Sequence, residues 1–138
     1  MSDVLFLYGT LLPGAAPREI ADAAAQLRFA ADGFVRGRLY DLGHYPGAVL
    51  DPASEHRIHG AVFTLPDDPA VLRALDAYEE FDPAAPELSQ FVRVRAVATL
   101  AAGSALECWI YVYNRDVRAA RMIGSGVWWR AGWRATSG

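Results

Sequence analysis

The apolar positions of this chain fall into short runs punctuated by Gly, Pro and Asp. Val4-Leu5-Phe6-Leu7-Tyr8 is unbroken and stops at Gly9, the pattern of a buried strand. Thr10-Leu11-Leu12-Pro13-Gly14 then reads as a loop. From Pro17 the spacing of Ile20, Ala23, Ala24 and Leu27 predicts a helix, and a proline suits its first turn. A second strand is predicted over residues 34–42. Gly43-His44-Tyr45-Pro46-Gly47 turns the chain into the short run Ala48-Val49-Leu50, and Asp51-Pro52 with Ser54-Glu55 makes the next turn. Another strand is predicted over residues 58–65.

Asp68-Pro69 is a helix start, because Asp can accept from the free N–H groups of the first turn and Pro fits the first helical position. This helix is expected to run to about Glu79, with an irregular loop at Pro83 and Pro86 after it. Residues 91–100 alternate, with Val92, Val94, Ala96, Ala98 and Leu100 on one face. Ala102-Gly103-Ser104 is a hairpin turn, and residues 106–113 return as the last long strand. Gly124 and Gly126 break the regularity of the Trp-rich end. Strands outnumber helices and several follow one another directly. The fold class this predicts is α+β: one domain over residues 1–138, built on a curled or closed mixed β-barrel with flanking helices.

Composition narrows the function classes. The chain has 138 residues, 53% apolar and 21% charged, enough for one domain with a core. Its net charge of -3 carries no basic footprint, so no nucleic-acid partner is expected. The densest basic set, Arg115, Arg118, Arg121, Arg130 and Arg134, is interleaved with Trp128, Trp129 and Trp133 and reads as an amphipathic tail packed by its tryptophans. The single cysteine, Cys108, lies in an apolar run and reads as a buried, inert thiol. No signal peptide and no membrane-spanning run are apparent, so a cytoplasmic protein is expected. His56 and His59 lack companions at ligand spacing, so no metal site is expected.

Two segments carry candidate chemistry. The first is the helix Val71-Leu72-Arg73-Ala74-Leu75-Asp76-Ala77-Tyr78-Glu79-Glu80. At about 100° per residue, Glu79 falls inside the apolar arc of Val71, Leu72, Leu75 and Tyr78, whereas Glu80 lands opposite. A carboxylate in a buried stripe, at the negative end of a helix, is pushed toward the pKa range useful to a general acid or base. Two plainer readings stand beside this one. The helix can fray before Glu79 and release it to solvent, or Glu79 can pair with Arg93 or Arg95. The second segment is Leu7-Tyr8-Gly9-Thr10-Leu11, where a strand ending at Gly lets a ligand approach backbone N–H groups. A plain turn is the alternative.

Together these segments resemble a known family. Tyr8-Gly9-Thr10-Leu11 is similar to the Tyr-Gly-Thr-Leu signature of the γ-glutamylcyclotransferase and AIG2-like proteins, and Leu75-Asp76-Ala77-Tyr78-Glu79 to their Leu-Asp-x-Tyr-Glu. Gly37-Arg38-Leu39-Tyr40, Tyr45-Pro46, Gly60-Ala61-Val62-Phe63, Phe91-Val92-Arg93 and Trp109-Ile110-Tyr111-Val112-Tyr113 match further family segments in the same order. Two positions depart: Glu80 stands where the family commonly has Gly, and Val127 where it has Asp in a Gly-Asp-Trp. The Tyr-Gly-Thr-Leu form looks closer to γ-glutamylamine cyclotransferases than to the enzymes of γ-glutamyl amino acids.

The resemblance implies release of 5-oxoproline from a γ-glutamyl amide, a small-molecule substrate, with no cofactor. It implies Glu79 as the catalytic residue and Tyr8, Gly9, Thr10 and Leu11 as the substrate cradle. Two other functions fit the same residues: a binding domain of this fold without turnover, and a cyclotransferase for a specialised γ-glutamyl biosynthetic intermediate.

Overall fold

The computed structural model describes residues 3–9 and 16–128. The chain folds into β1 (Val4–Leu7), a 3-10 turn (Arg18–Ile20), α1 (Ala21–Ala24), β2 (Arg28–Asp41), β3 (Pro46–Leu50), β4 (Arg57–Thr64), α2 (Pro69–Tyr78), a second 3-10 turn (Pro86–Leu88), β5 (Phe91–Leu100), β6 (Ala105–Tyr113) and β7 (Arg121–Met122).

Five strands close into a mixed barrel in the order β2-β4-β1-β6-β5, with β5 pairing back onto β2. Every pairing in the ring is antiparallel except β1 with β6, where Leu5 lies beside Trp109 and Phe6 beside Ile110. The ring closes at Gly33 and Phe34, which face Leu100 and Thr99. Gly33 is needed there, since a Cβ would sit 2.6 Å from the Thr99 carbonyl oxygen. Beyond that point β2 leaves the barrel, and its last residues pair with β3 and β7 in a small side sheet. The α+β barrel with flanking helices predicted from the sequence is therefore the fold observed.

The core is formed by Leu5, Phe6, Val35, Ile58, Val62 and Ile110 from the strands, with Val71 and Leu75 from α2 packed on it. Each fully buried aliphatic side chain of this kind contributes roughly 1.5–3 kcal/mol. Cys108 is buried, its Sγ lies 3.6 Å from the Ala96 carbonyl, and burial pushes its thiol up to about 11, which fits an inert packing role. Among the described residues no helix is long and apolar enough to cross a membrane.

The elements differ from the sequence reading chiefly in four places, and the short strand β7 was not predicted. The helix after Pro17 shrinks to a 3-10 turn and the single turn α1, although Ile20, Ala24 and Leu27 are buried as its pattern requires. The strand expected at residue 34 starts at Arg28. Its first three residues are exposed, the next four are half-buried, and a register shift falls between Phe29 and Ala31. This stretch shows no clean alternation, and only pairing to β4 makes it a strand. β3 starts two residues earlier than expected, at Pro46. The loop at Pro86 holds a 3-10 turn. The Trp-rich tail beyond Trp128 lies outside the described residues.

Candidate active site

Helix α2 is capped as its sequence dictates: the Asp68 carboxylate accepts from the Ala70 N–H at 2.9 Å, and Pro69 takes the first helical position. At the other end the Glu80 N–H donates to the Ala77 carbonyl and the Phe81 N–H to the Asp76 carbonyl. These two bonds form a Schellman C-cap, which requires a left-handed residue between them. That residue is Glu80, at φ 58°, and it is the sole non-glycine with positive φ among the described residues. Glu79 closes the helix at φ -79°, ψ 1°.

The last turn of α2 is tied to the barrel through Asp76, which is 7% exposed. The Tyr111 hydroxyl donates to Asp76 Oδ1 at 2.6 Å. Arg93 donates from Nε to the same oxygen at 2.8 Å and from Nη2 to Oδ2 at 3.1 Å. Arg93 and Tyr111 are direct cross-strand partners on β5 and β6, so one acidic side chain gathers both. The guanidinium also lies 4.3 Å from the Trp109 ring centroid and 5.7 Å from that of Phe81.

The end of β1 supplies the facing wall. Tyr8 is 6% exposed, and its hydroxyl donates to the Tyr111 carbonyl at 2.6 Å while accepting from the Ala48 N–H at 3.2 Å. Gly9 packs against the Pro46 ring, where a Cβ would come within 2.6 Å of Cγ. Above them, Gln90 Nε2 donates to the Tyr45 hydroxyl at 2.5 Å, and the Tyr45 and Phe91 rings meet edge to face at 5.7 Å.

These groups enclose a cavity of about 340 Å³, a size suited to a small-molecule ligand. Its wall runs from Leu7, Tyr8 and Gly9, past the turn at His44, Tyr45 and Pro46, to Tyr78, Glu79 and Glu80, with Tyr111 and Phe91 between. Burial first, and the neighbouring Glu80 charge second, push the Glu79 carboxyl up to about 7. The Tyr8 and Tyr111 phenols are driven well above the usual range, chiefly by burial, and in both the Glu79 charge adds to the effect. The site therefore holds one carboxyl poised to gain or lose a proton near neutrality, beside hydroxyls that stay protonated.

The structure brings Tyr8, Gly9 and Glu79 to one cavity. Thr10 and Leu11, the other two cradle residues expected from the sequence, lie outside the described residues. Neither plain reading of Glu79 matches the geometry. The helix does not fray before it, since its N–H reaches the Leu75 carbonyl at 3.0 Å, and the partner of Arg93 is Asp76. Arg95 pairs with Glu107 and Asp3. Sequence reasoning missed the anchoring role of Asp76 and Tyr111. Both lie in the matched motifs, and the alternation of β5 and β6 places Arg93 and Tyr111 on one face, which was the available signal. Among the described residues no group of three or more His, Cys, Asp or Glu side chains is placed to hold a metal ion.

Comparison with known proteins agrees with this fold. The sequence model of the family described as "Gamma-glutamyl cyclotransferase, AIG2-like" matches residues 5–130. The γ-glutamylcyclotransferase family protein YtfP of Escherichia coli K12 is 36% identical over 91 residues, which is 66% of either chain. The solution structure of Escherichia coli ytfP superposes with a TM-score of 0.61 at 28% identity, covering 91% of this chain and 95% of that one. A mouse AIG2-like protein superposes at TM-score 0.65 and 19% identity, covering 83% and 80%. YkqA of Bacillus subtilis superposes at 0.67 and 22% identity over 93% of this chain, which spans only 40% of YkqA. The fold, the ordered motifs and the family match over residues 5–130 together show that this chain belongs to the γ-glutamyl cyclotransferase, AIG2-like family.

Proposed function

We propose that the chain is a cyclotransferase that releases 5-oxoproline from a γ-glutamyl amide, with Glu79 as the acid/base. The observation that carries this reading is the Glu79 carboxyl, pushed up to about 7, in a cavity that opens beside Gly9.

The α-amine of the substrate attacks its own γ-carbonyl carbon. A C–N bond forms within the five-membered ring as the C–N bond to the leaving amine breaks. An α-amine has a pKa near ~8 and is largely protonated at neutral pH. The amine enters the reaction after losing one proton to solvent. The ionised Glu79 takes a second proton from the attacking nitrogen as the ring closes and passes it to the leaving nitrogen, so the carboxyl ends each turnover as it began. A group titrating near 7 suits both transfers. Because the nucleophile is tethered, well-oriented attack carries effective molarities of roughly 10⁵–10⁸ M. The chain's part is to fold the substrate against Glu79 and stabilise the oxyanion. We assign the oxyanion to the backbone N–H groups of Gly9, Thr10 and Leu11. Tyr8 shapes the floor of the cavity, since its hydroxyl is already engaged by Tyr111 and Ala48.

The test is 5-oxoproline release from a panel of γ-glutamyl amides with amino-acid and amine leaving groups. Turnover of at least one, lost in Glu79→Gln, supports the reading. Binding of 5-oxoproline with no turnover of any would replace it with a binding domain of the same fold.

A further inference from the structure

We propose that Asp76 is a positioning residue that holds the Arg93 guanidinium away from Glu79, beyond its role in docking α2. The inference rests on the reading of Glu79 as the acid/base group.

Arg93 is one cross-strand step from the cavity. It lies opposite Tyr111, a lining residue, and residues opposed in an antiparallel pair are about 4.5–5.5 Å apart. Among the described lining residues there is no Lys or Arg. This cation is held by a two-point fork onto Asp76, and its guanidinium lies 4.3 Å from the Trp109 ring centroid and 5.7 Å from that of Phe81. The fork leaves Arg93 matched in charge and direction, a geometry that lysine could not reproduce.

Other titratable groups also face Glu79. Tyr8 comes from the end of β1, His44 and Tyr45 from the turn before β3, Tyr111 from β6, and Tyr78 and Glu80 from its own helix end. Among them Glu80 brings a like charge that opposes ionisation of Glu79. A free guanidinium would act in the opposite sense. An opposite charge within ~4–6 Å lowers a carboxyl pKa by about 1–3 units. Without Asp76, Arg93 would lower the proton affinity of Glu79 and leave a weaker base.

The experiment follows the Glu79 carboxyl by ¹³C NMR pH titration of the full chain, with the resonance assigned by its loss in Glu79→Gln. Asp76→Asn should move the midpoint down by about one unit, because the cation is released. Arg93→Gln should move it up, because the Asp76 carboxylate is left unpaired nearby. Asp76→Asn combined with Arg93→Gln should return it close to the original. A purely structural role predicts a different pattern: either variant loosens the helix end and admits water, so both midpoints fall together. Shifts in the same direction, or no shift in either, overturn the proposal. If Asp76→Asn does not fold, Arg93→Gln decides alone, with a rise supporting the proposal and a fall or no change refuting it. The titration needs no turnover, so a chain that releases no 5-oxoproline would defeat the functional reading and still leave this inference decidable.

Discussion

Glu79 and Glu80 are chain neighbours with opposite roles in one helix cap: Glu79 closes α2 in near-helical backbone and is half-buried, while Glu80 takes the left-handed cap position and is exposed. The arrangement places a second negative charge at the rim of the cavity and raises the proton affinity of the first.

Replacing the two in turn separates their functions. Glu79→Gln keeps size and hydrogen bonding but cannot carry a proton, so turnover should fall by about 10²–10⁴-fold or more. Glu80→Gln should retain most activity and change mainly the preference among leaving amines, through the lost charge at the rim. Steady-state rates of both variants on one γ-glutamyl amide check this, and a dead Glu80→Gln beside an active Glu79→Gln would contradict it.

The pH dependence has a definite sign. Glu79 is needed as a base, so kcat/KM should rise with pH through a limb near 7. Glu80→Gln removes the like charge and should move that limb to lower pH. A limb that stays in place would show that Glu80 is screened from Glu79.

Stability should respond in the opposite sense to activity. The folded-state pKa of Glu79 is raised, to about 7 from a usual value of 4.5. Between those values the native state therefore binds more protons than the unfolded chain, and its contribution to stability is lost as pH rises. The carboxylate costs roughly 3 kcal/mol once ionised. Glu79→Gln should match the parent chain's melting temperature near pH 4.5 and exceed it by several degrees at pH 8. A constant difference across that range would mean that Glu79 is not desolvated.

The left-handed backbone at Glu80 makes a separate prediction. A non-glycine residue there carries about 1–2 kcal/mol of strain, partly offset in Glu80→Gly by the extra freedom of glycine in the unfolded chain. The net should be a stabilisation of about 0.5–1 kcal/mol, read as an increased denaturant midpoint at unchanged slope. Destabilisation would show that the Glu80 side chain makes compensating contacts.

Gly9→Val tests the other wall. Its branched side chain would meet the Pro46 ring, where even a Cβ stands 2.6 Å from Cγ, and would fill the approach to the backbone. Turnover should collapse while the melting temperature falls only modestly. Unimpaired turnover would reduce this loop to a turn.

The local features were legible because each depends on residues close together in the chain. The Asp68-Pro69 cap, the alternation of β5, the hairpin to β6 and the burial of Cys108 were all read correctly from spacing and turn chemistry. The same spacing sets Glu79 on the apolar arc of α2, whereas the buried carboxylate of that helix, Asp76, was not legible from it. The first half of β2 was not legible, because its strand conformation comes from pairing with β4 and not from its own pattern.

By itself, then, the sequence determined most of the strands, where α2 begins and ends, and that Glu79 continues the apolar arc of that helix. Periodicity and capping are short-range and act on neighbouring side chains. Only the tertiary structure decided which side chains meet. The Tyr8 hydroxyl reaches a carbonyl 103 residues away, and Arg93 is claimed by Asp76 instead of Glu79. Both follow from barrel closure, which sets β1 beside β6 and β6 beside β5 and lays the end of α2 across them, so that burial and a single fork of hydrogen bonds select the partners.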